Sequence, residues 1–298
     1  MTDPFDATVV ITTKNRKHDL RGAIESCLNQ TARIETLVID DGSDDGTSDM
    51  VRSEFPDVRL DRQETSLGLI AERNRGADLA RAPIVVSIDD DAAFPSPHTI
   101  EQTLAEFDHP RVGAVAIPFI NVRQDESAIH QRAADDGEVY AAHKYIGTAH
   151  AIRRDLFRRL TGYRPWFVHQ GEEGDYCIRM LAAGYIVRLG RADPIHHFES
   201  PRRDFRRMDY YGRRNDVLSA WCNVPLPALL WQLPGTTVKG ALFGLKLGRP
   251  LRMLYGLAGG YASILRHFGE RDPVSTAAYQ LSQSLKRDGP IPLHEIEP

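Results

Sequence analysis

The chain has 298 residues, enough for one large domain or for a catalytic domain with an added segment. Apolar residues make up 42% and charged residues 26%, which excludes a disordered or collagen-like chain. With Lys+Arg at 37 and Asp+Glu at 41 the formal charge is −4, which argues against nucleic acid as a partner.

Residues 8–13 (TVVITT) are a β-branched run that predicts a buried strand. Leu20, Ala23, Ile24, Cys27 and Leu28 then recur at helical spacing. A second strand is expected over 34–39, a helix over 47–55, a short strand over 58–60, a helix over 69–82 and another buried strand over 83–88. Strands alternating with helices predict an α/β fold with a mainly parallel sheet covered on both faces. Three polar clusters follow three of these strands: Thr12-Thr13-Lys14-Asn15, Asp40-Asp41-Gly42-Ser43 and Asp89-Asp90-Asp91. Open parallel sheets bind ligands at the carboxyl ends of their strands, so the clusters are expected to share one site. Solvated turn residues are the bland reading of the same pattern. No GxGxxG follows the first strand and no GxxxxGK[ST] occurs, so a bound nucleotide's phosphates need a metal or basic side chains.

Asp89, Asp90 and Asp91 repel one another at a half-buried strand end, and a divalent cation relieves that repulsion. Oxygen ligands point to Mg²⁺ or Mn²⁺. Alternation along the strand lets Asp89 and Asp91 act on one side. Gly171-Glu172-Glu173-Gly174-Asp175 reads as a loop opening a helix, and its adjacent glutamates exceed what capping requires, so one is a candidate general base. His196 and His197 follow a short apolar segment and offer a metal ligand. Arg202, Arg203, Arg206, Arg207, Arg213 and Arg214, interleaved with Phe205, Tyr210 and Tyr211, suit phosphate oxygens or form a solvated helix face. Cys27, Cys177 and Cys222 form no CxxC pair, and Met1 to Asp6 does not read as a secretory signal, so a cytoplasmic protein is expected.

In order, Thr12-x-x-Asn15-Arg16, Asp40 to Thr47, Arg73-Asn74-Arg75-Gly76, Asp89 to Asp91 and Gly171 to Asp175 resemble the family 2 glycosyltransferases of GT-A fold, over about residues 8–215. The resemblance implies a metal-dependent, inverting transfer of a sugar from a nucleoside diphosphate donor, UDP or dTDP favoured, to a hydroxyl of a glycan or lipid-linked glycan. It implies that Thr12, Asn15, Asp40, Asp41, Arg73, Asp89 and Asp90 hold the nucleotide sugar, and that Asp91 and Asp89 with His196 or His197 hold Mn²⁺ or Mg²⁺. Glu173 falls at the position of the family's catalytic Asp, with Glu172 left open as the base. Trp166 and His150 are expected to border the acceptor. Processive members carry QxxRW, which is missing here, so a single transfer per encounter is implied. The competing readings are a sugar nucleotidyltransferase, whose glycine-rich loop is missing, and a non-catalytic glycan- or nucleotide-binding module.

Beyond residue 216 the chain changes character. No Asp or Glu occurs between Val217 and Gly269, while Lys239, Lys246, Arg249, Arg252 and Arg266 are basic. The uncharged run 217–238 is broken by Pro225, Pro227 and Pro234 and does not read as a spanning helix. Leu251, Leu254, Tyr255, Ala258, Ala262 and Leu265 fall on one helical face. A contact through 226–268 with an anionic membrane surface, on its cytoplasmic side, or with a second subunit is expected. The division predicted is a catalytic domain 1–215 (nucleotide half 1–115, acceptor half 116–215), a basic amphipathic helical extension 216–271 and a peripheral tail 272–298.

Overall fold

The computed structural model describes residues 4–199 and 204–296. Arg202 and Arg203 of the arginine run, and the first three residues of the acidic N-terminus, lie outside the described residues.

The first half alternates as expected: β1 (Ala7–Thr13), α1 (Lys17–Leu28), β2 (Ile34–Asp40), α2 (Thr47–Glu54), β3 (Arg59–Arg62), α3 (Leu69–Leu79) and β4 (Ile84–Asp89). Then come β5 (Ala92–Ala93), α4 (Thr99–Ala105), β6 (Val112–Ala116), β7 (Phe119–Asn121), β8 (Ile129–His130), β9 (Tyr140–Ala142), β10 (Ala149–Arg153) and α5 (Arg154–Arg159). The second half holds α6 (Glu172–Ala182), β11 (Ile186–Leu189), β12 (Ile195–His197), α7 (Phe205–Asn223), α8 (Leu229–Lys246), α9 (Pro250–Arg266), α10 (Thr276–Asp288) and β13 (Ile291–Pro292).

A nine-stranded sheet runs β13-β9-β11-β6-β10-β4-β1-β2-β3, and a four-stranded sheet runs β5-β12-β7-β8. Every residue of β1 is buried, and its side chains alternate between two cores. Val9 and Ile11 join Leu20, Ile24 and Ile100 on one face, while Val10 joins Ile70, Phe157 and Tyr176 on the other. This is the signature of a sheet covered on both sides, and it explains the unbroken apolar runs of the strands. At Gly76, α3 comes so close to β1 that a Cβ would meet Val10 Cγ1 at 2.3 Å.

Register places the site. Thr12 pairs with Ile39 on one side and Asp89 on the other, so β1, β2 and β4 end level and their polar clusters emerge together. β10 runs antiparallel to β4 with Ala149 opposite Ile88, which brings Gly147 and Thr148 beside Asp89. In the small sheet, His197 pairs with Ala92 and Asn121, carrying it to the acidic triplet.

Two expectations about the C-terminal part are corrected. The tail is not peripheral: β13 pairs with β9, and Leu285, Leu293 and Ile296 belong to the main core. The boundary after residue 215 falls inside α7, which continues unbroken to Asn223. The hydrophobic face of α9 is real, but α9 buries the opposite side, through Met253, Gly256, Leu257, Gly260, Ser263 and Ile264. Among the described residues no helix is long and apolar enough to cross a membrane. Leu285→Ala is expected to cost about 2–5 kcal/mol in a urea unfolding titration, as for any buried leucine. An unchanged midpoint would show that the tail is not part of the core.

Candidate active site

The site forms where β1, β2 and β4 end and where β10 and α6 begin, and Arg73 of α3 is at its centre. Its side chain is 5% exposed. Nη2 donates to Asp89 Oδ1 at 2.9 Å and to the Gly147 carbonyl at 3.2 Å; Nη1 donates to Glu172 Oε1 at 3.1 Å. Nη1 also lies 3.8 Å from Glu173 Oε1. Burial alone would lower the guanidinium's affinity for its proton, but the charges of Asp89, Glu172 and Glu173 outweigh it and raise the pKa. Gly147 is a steric requirement of this cluster: a Cβ there would stand 2.5 Å from Glu173 Oε1 and 2.6 Å from Arg73 Nη1.

The acidic triplet divides as strand alternation predicts. Asp90 turns inward, where Thr13 Oγ1 donates to it at 2.8 Å and Arg16 Nη1 lies 3.3 Å away. Burial pushes its pKa up to about 7 against the pull of Arg16. Asp89 and Asp91 face His197, and one ligand atom from each of the three lies within 4.8 Å of the others. Burial would raise Asp91, but the hydrogen bond from His197 and the charge of Arg16 prevail and hold it at about 2. His197 Nδ1 lies 2.7 Å from Asn121 Oδ1, which orients Nε2 toward Asp91 Oδ1 at 3.3 Å. Two carboxylates and an imidazole whose second nitrogen is anchored make a donor set suited to Mn²⁺ or a similar divalent ion. Charge relief does not by itself demand a cation, because Arg16 pairs with Asp90 and Asp91 and Arg73 with Asp89.

Glu172 and Glu173 sit in the first turn of α6 with different surroundings. Glu172 is 2% exposed, and burial followed by the neighbouring charge of Glu173 raises its pKa. The side chain of Glu173 is 16% exposed, so it is the member of the pair that solvent and ligands reach.

The structure moves several expected residues. Asp40 is fully buried: it accepts from the Ser43 amide at 2.8 Å and from Ser48 Oγ, tying the loop after β2 to α2. Asp41 holds the amides of Leu67 and Gly68 and the Ser66 hydroxyl, tying the loop before α3 to β2. Asn15 adopts a positive φ of 55° and bridges the first two loops, receiving the Asp44 amide at 2.8 Å. Thr12 is buried at the end of β1 beside Asp89. Arg73 pairs with Asp89 and Glu172. His196 points away from the triplet and meets Phe198 edge-on. His150 is not at an acceptor surface: it is 1% exposed, stacks on Tyr145 at 4.1 Å and lies 3.1 Å from Tyr163 Oη. Burial lowers its pKa to about 3. Trp166 stacks on His267 at 4.4 Å, which fixes it to the end of α9.

Four contributors were not singled out from the sequence. Thr148 Oγ1 donates to Asp89 Oδ2 at 3.0 Å, and Gly147 and Asn121 act as described above. Asn215 is the fourth: its amide donates to the carbonyls of Phe167, His169 and Gln170 at 2.7–2.9 Å. That loop carries positive φ at Val168, Gln170 and Gly171 and delivers Glu172 and Glu173.

The glycosyl transferase family 2 model matches residues 8–161. The chain belongs to glycosyl transferase family 2. Across 224 residues it is 28% identical to a pre-mycofactocin glycosyltransferase of Mycobacterium tuberculosis, covering 70% of this chain and 46% of that protein. It thus spans about half the length of this curated relative. The fold is that of the mannosyltransferase PcManGT from Pyrobaculum calidifontis, in complex with GDP-Man and Mn²⁺ (TM-score 0.59, 20% identity, 97% of this chain and 83% of that one). It is likewise that of S. aureus TarS 1–349 in complex with UDP-GlcNAc (TM-score 0.63, 14% identity, 95% and 88%). This family 2 chain therefore has a GT-A fold with three further helices, α8 to α10, after α7.

Asn215→Asp removes the donor that satisfies three buried carbonyls, so stability should fall by about 1–3 kcal/mol. Hydrogen exchange at Val168 to Gly171 should quicken before global unfolding. Unchanged exchange there would mean that other contacts hold the loop.

Proposed function

We propose that this protein is a metal-dependent inverting glycosyltransferase that moves a sugar from a uridine or thymidine diphosphate donor to a hydroxyl of a glycan or lipid-linked glycan. The observation that carries the reading is the meeting of two functions on Arg73: a three-residue metal-type cluster on one side and a half-open carboxylate, Glu173, on the other. A binding module has no need of that pairing. A sugar nucleotidyltransferase is expected to carry a glycine-rich phosphate loop after β1, and this chain does not have one.

Asp89, Asp91 and His197 are the residues that would hold the divalent ion, which when bound neutralises charge developing on the departing diphosphate. Thr12, at the end of β1, and the loop that Asp41 holds border the nucleoside. Glu173 takes the proton of the acceptor hydroxyl as that oxygen forms its bond to the anomeric carbon. The bond from that carbon to the diphosphate oxygen breaks, and the nucleoside diphosphate leaves with its electron pair. One in-line displacement inverts the anomeric centre. Arg73 sets a positive charge 3.8 Å from the Glu173 carboxylate, and Glu172, withdrawn into the protein, anchors the other side of the guanidinium. The catalytic unit continues through α7 to Asn223, and α8 and α9 form the extension. The cytoplasm, where nucleotide sugars are made, is the assigned compartment.

The test is donor turnover in the presence of Mn²⁺ against a panel of UDP-, dTDP- and GDP-sugars, with the product's anomeric configuration read by NMR. Glu173→Gln should lower kcat by about 10²–10⁴-fold while leaving nucleotide affinity within a factor of about two. A Glu173→Gln protein with wild-type kcat would remove Glu173 from the base role, and a product of retained configuration would overturn the single-displacement chemistry.

A further inference from the structure

The α8–α9 hairpin is apolar on its outer face as well as on the face it packs against the protein. α9 turns glycines inward: a Cβ at Gly256 would meet the Tyr210 carbonyl at 2.6 Å, and one at Gly260 would meet Val217 Cβ at 2.6 Å. Gly244 of α8 lies against Met253 in the same manner. Met253, Leu257 and Ile264 pack inward beside these glycines, yet a second set of large apolar side chains faces out. Leu251, Leu254, Ala258 and Leu265 follow one helical stripe of α9, with Leu251 80% and Leu265 79% exposed. Trp231, Val238, Leu242 and Leu245 form the matching stripe of α8, with Trp231 82% exposed. Helices that bury glycine and expose leucine and tryptophan have an apolar partner outside the chain.

Charge identifies that partner. Lys239 and Lys246 stand exposed beside the α8 stripe, and Arg252 and Arg266 beside the α9 stripe. No acid occurs between Val217 and Gly269. The acids of α7 nearest this hairpin are already engaged, Asp209 by Arg249 at 3.0 Å and Asp216 by Arg213 at 2.9 Å. Next to the start of α9, a cleft of about 560 Å³ adds Arg206, Arg207, Tyr210 and Tyr255 to Arg252. Its acid, Asp204, accepts the Arg207 amide at 3.0 Å. A second copy of this chain would bring an equally cationic rim against this one, so self-association is opposed by charge. A bilayer with anionic headgroups matches both halves of the pattern, acyl chains for the leucines and phosphates for the cations.

We infer that α8 and α9 lie flat on an anionic lipid surface, with Trp231, Leu251, Leu254 and Leu265 at the acyl boundary and Lys239, Lys246, Arg252 and Arg266 among the headgroups. This goes beyond the transferase reading and is independent of it. The experiment is sedimentation of the full chain with phosphatidylglycerol–phosphatidylcholine vesicles and with phosphatidylcholine vesicles alone. The protein should partition onto the first at least tenfold better, and added salt should weaken the binding. The double variant Leu251→Glu/Leu265→Glu, at positions that are already solvent-facing, should lose at least tenfold of the partition. Arg252→Glu/Arg266→Glu should remove the preference for anionic lipid. Both variants should bind nucleotide as the wild type does, so failure on vesicles leaves the transferase reading standing. No vesicle binding, equal binding to neutral and anionic vesicles, or a dimer that the leucine variant dissociates while vesicles remain unbound would each overturn the inference.

Discussion

The guanidinium of Arg73 is the constraint on which the site depends. It is buried at the back of the cleft and joins Asp89 of β4 to Glu172 of α6, two groups that the chain separates widely. A buried ion costs several kcal/mol unless its partners are well placed, and removing one partner leaves the others uncompensated. Arg73 therefore fixes the spacing between the metal-type cluster and the first turn of α6. The carbonyl of Gly147 and the close approach allowed by its missing side chain complete the cradle. A similar economy holds one step out, where Arg16 draws Asp90 and Asp91 together and Asn121 orients His197.

What was legible in the sequence followed from periodicity and from turns. The β-branched runs and the helical spacing of the first half gave the alternation, and the level ends of β1, β2 and β4 brought the polar clusters together as expected. Which residue of a pair faces the cleft was not legible, because that depends on strand register and on the local turn. Asp40 and Asp41 look interchangeable, yet the first is fully buried and holds the Ser43 amide and the Ser48 hydroxyl from inside the protein. His196 and His197 lie on opposite sides of β12, and only the pairing of β12 with β5 and β7 decides which one reaches Asp91. The small sheet itself was invisible, since β5 and β8 have two residues each. His150 shows the same limit for burial: a polar residue next to a strand end proved to be a core histidine stacked on tyrosine.

The C-terminal helices separate pattern from direction. The apolar face of α9 was correctly located, but a hydrophobic stripe does not say whether it turns toward the protein. The glycines decide it, because α9 packs closely on α7 at Gly256 and Gly260, with Leu257 between them, and this turns Leu251, Leu254 and Leu265 outward. The tail was misread for a related reason. Its late prolines suggested a peripheral strand of chain, whereas Leu285, Leu293 and Ile296 return to the main core. Trp166 links these helices to the loop before α6, through His267 and through Arg214, which donates to the Trp166 carbonyl at 3.0 Å. The end of α9 and the loop before α6 are thus tied to one another.

The central claim is that Asp89, Asp91 and His197 bind a divalent ion together with the diphosphate of a nucleotide donor. Calorimetric titration of the wild type and Asp91→Ala with UDP, dTDP, GDP and CDP, each with and without Mn²⁺, tests it most directly. The account predicts that one uridine or thymidine nucleotide binds tightly only when Mn²⁺ is present, and that Asp91→Ala abolishes the metal dependence. Nucleotide binding that ignores Mn²⁺ in both proteins, or no binding of any nucleotide, would contradict it.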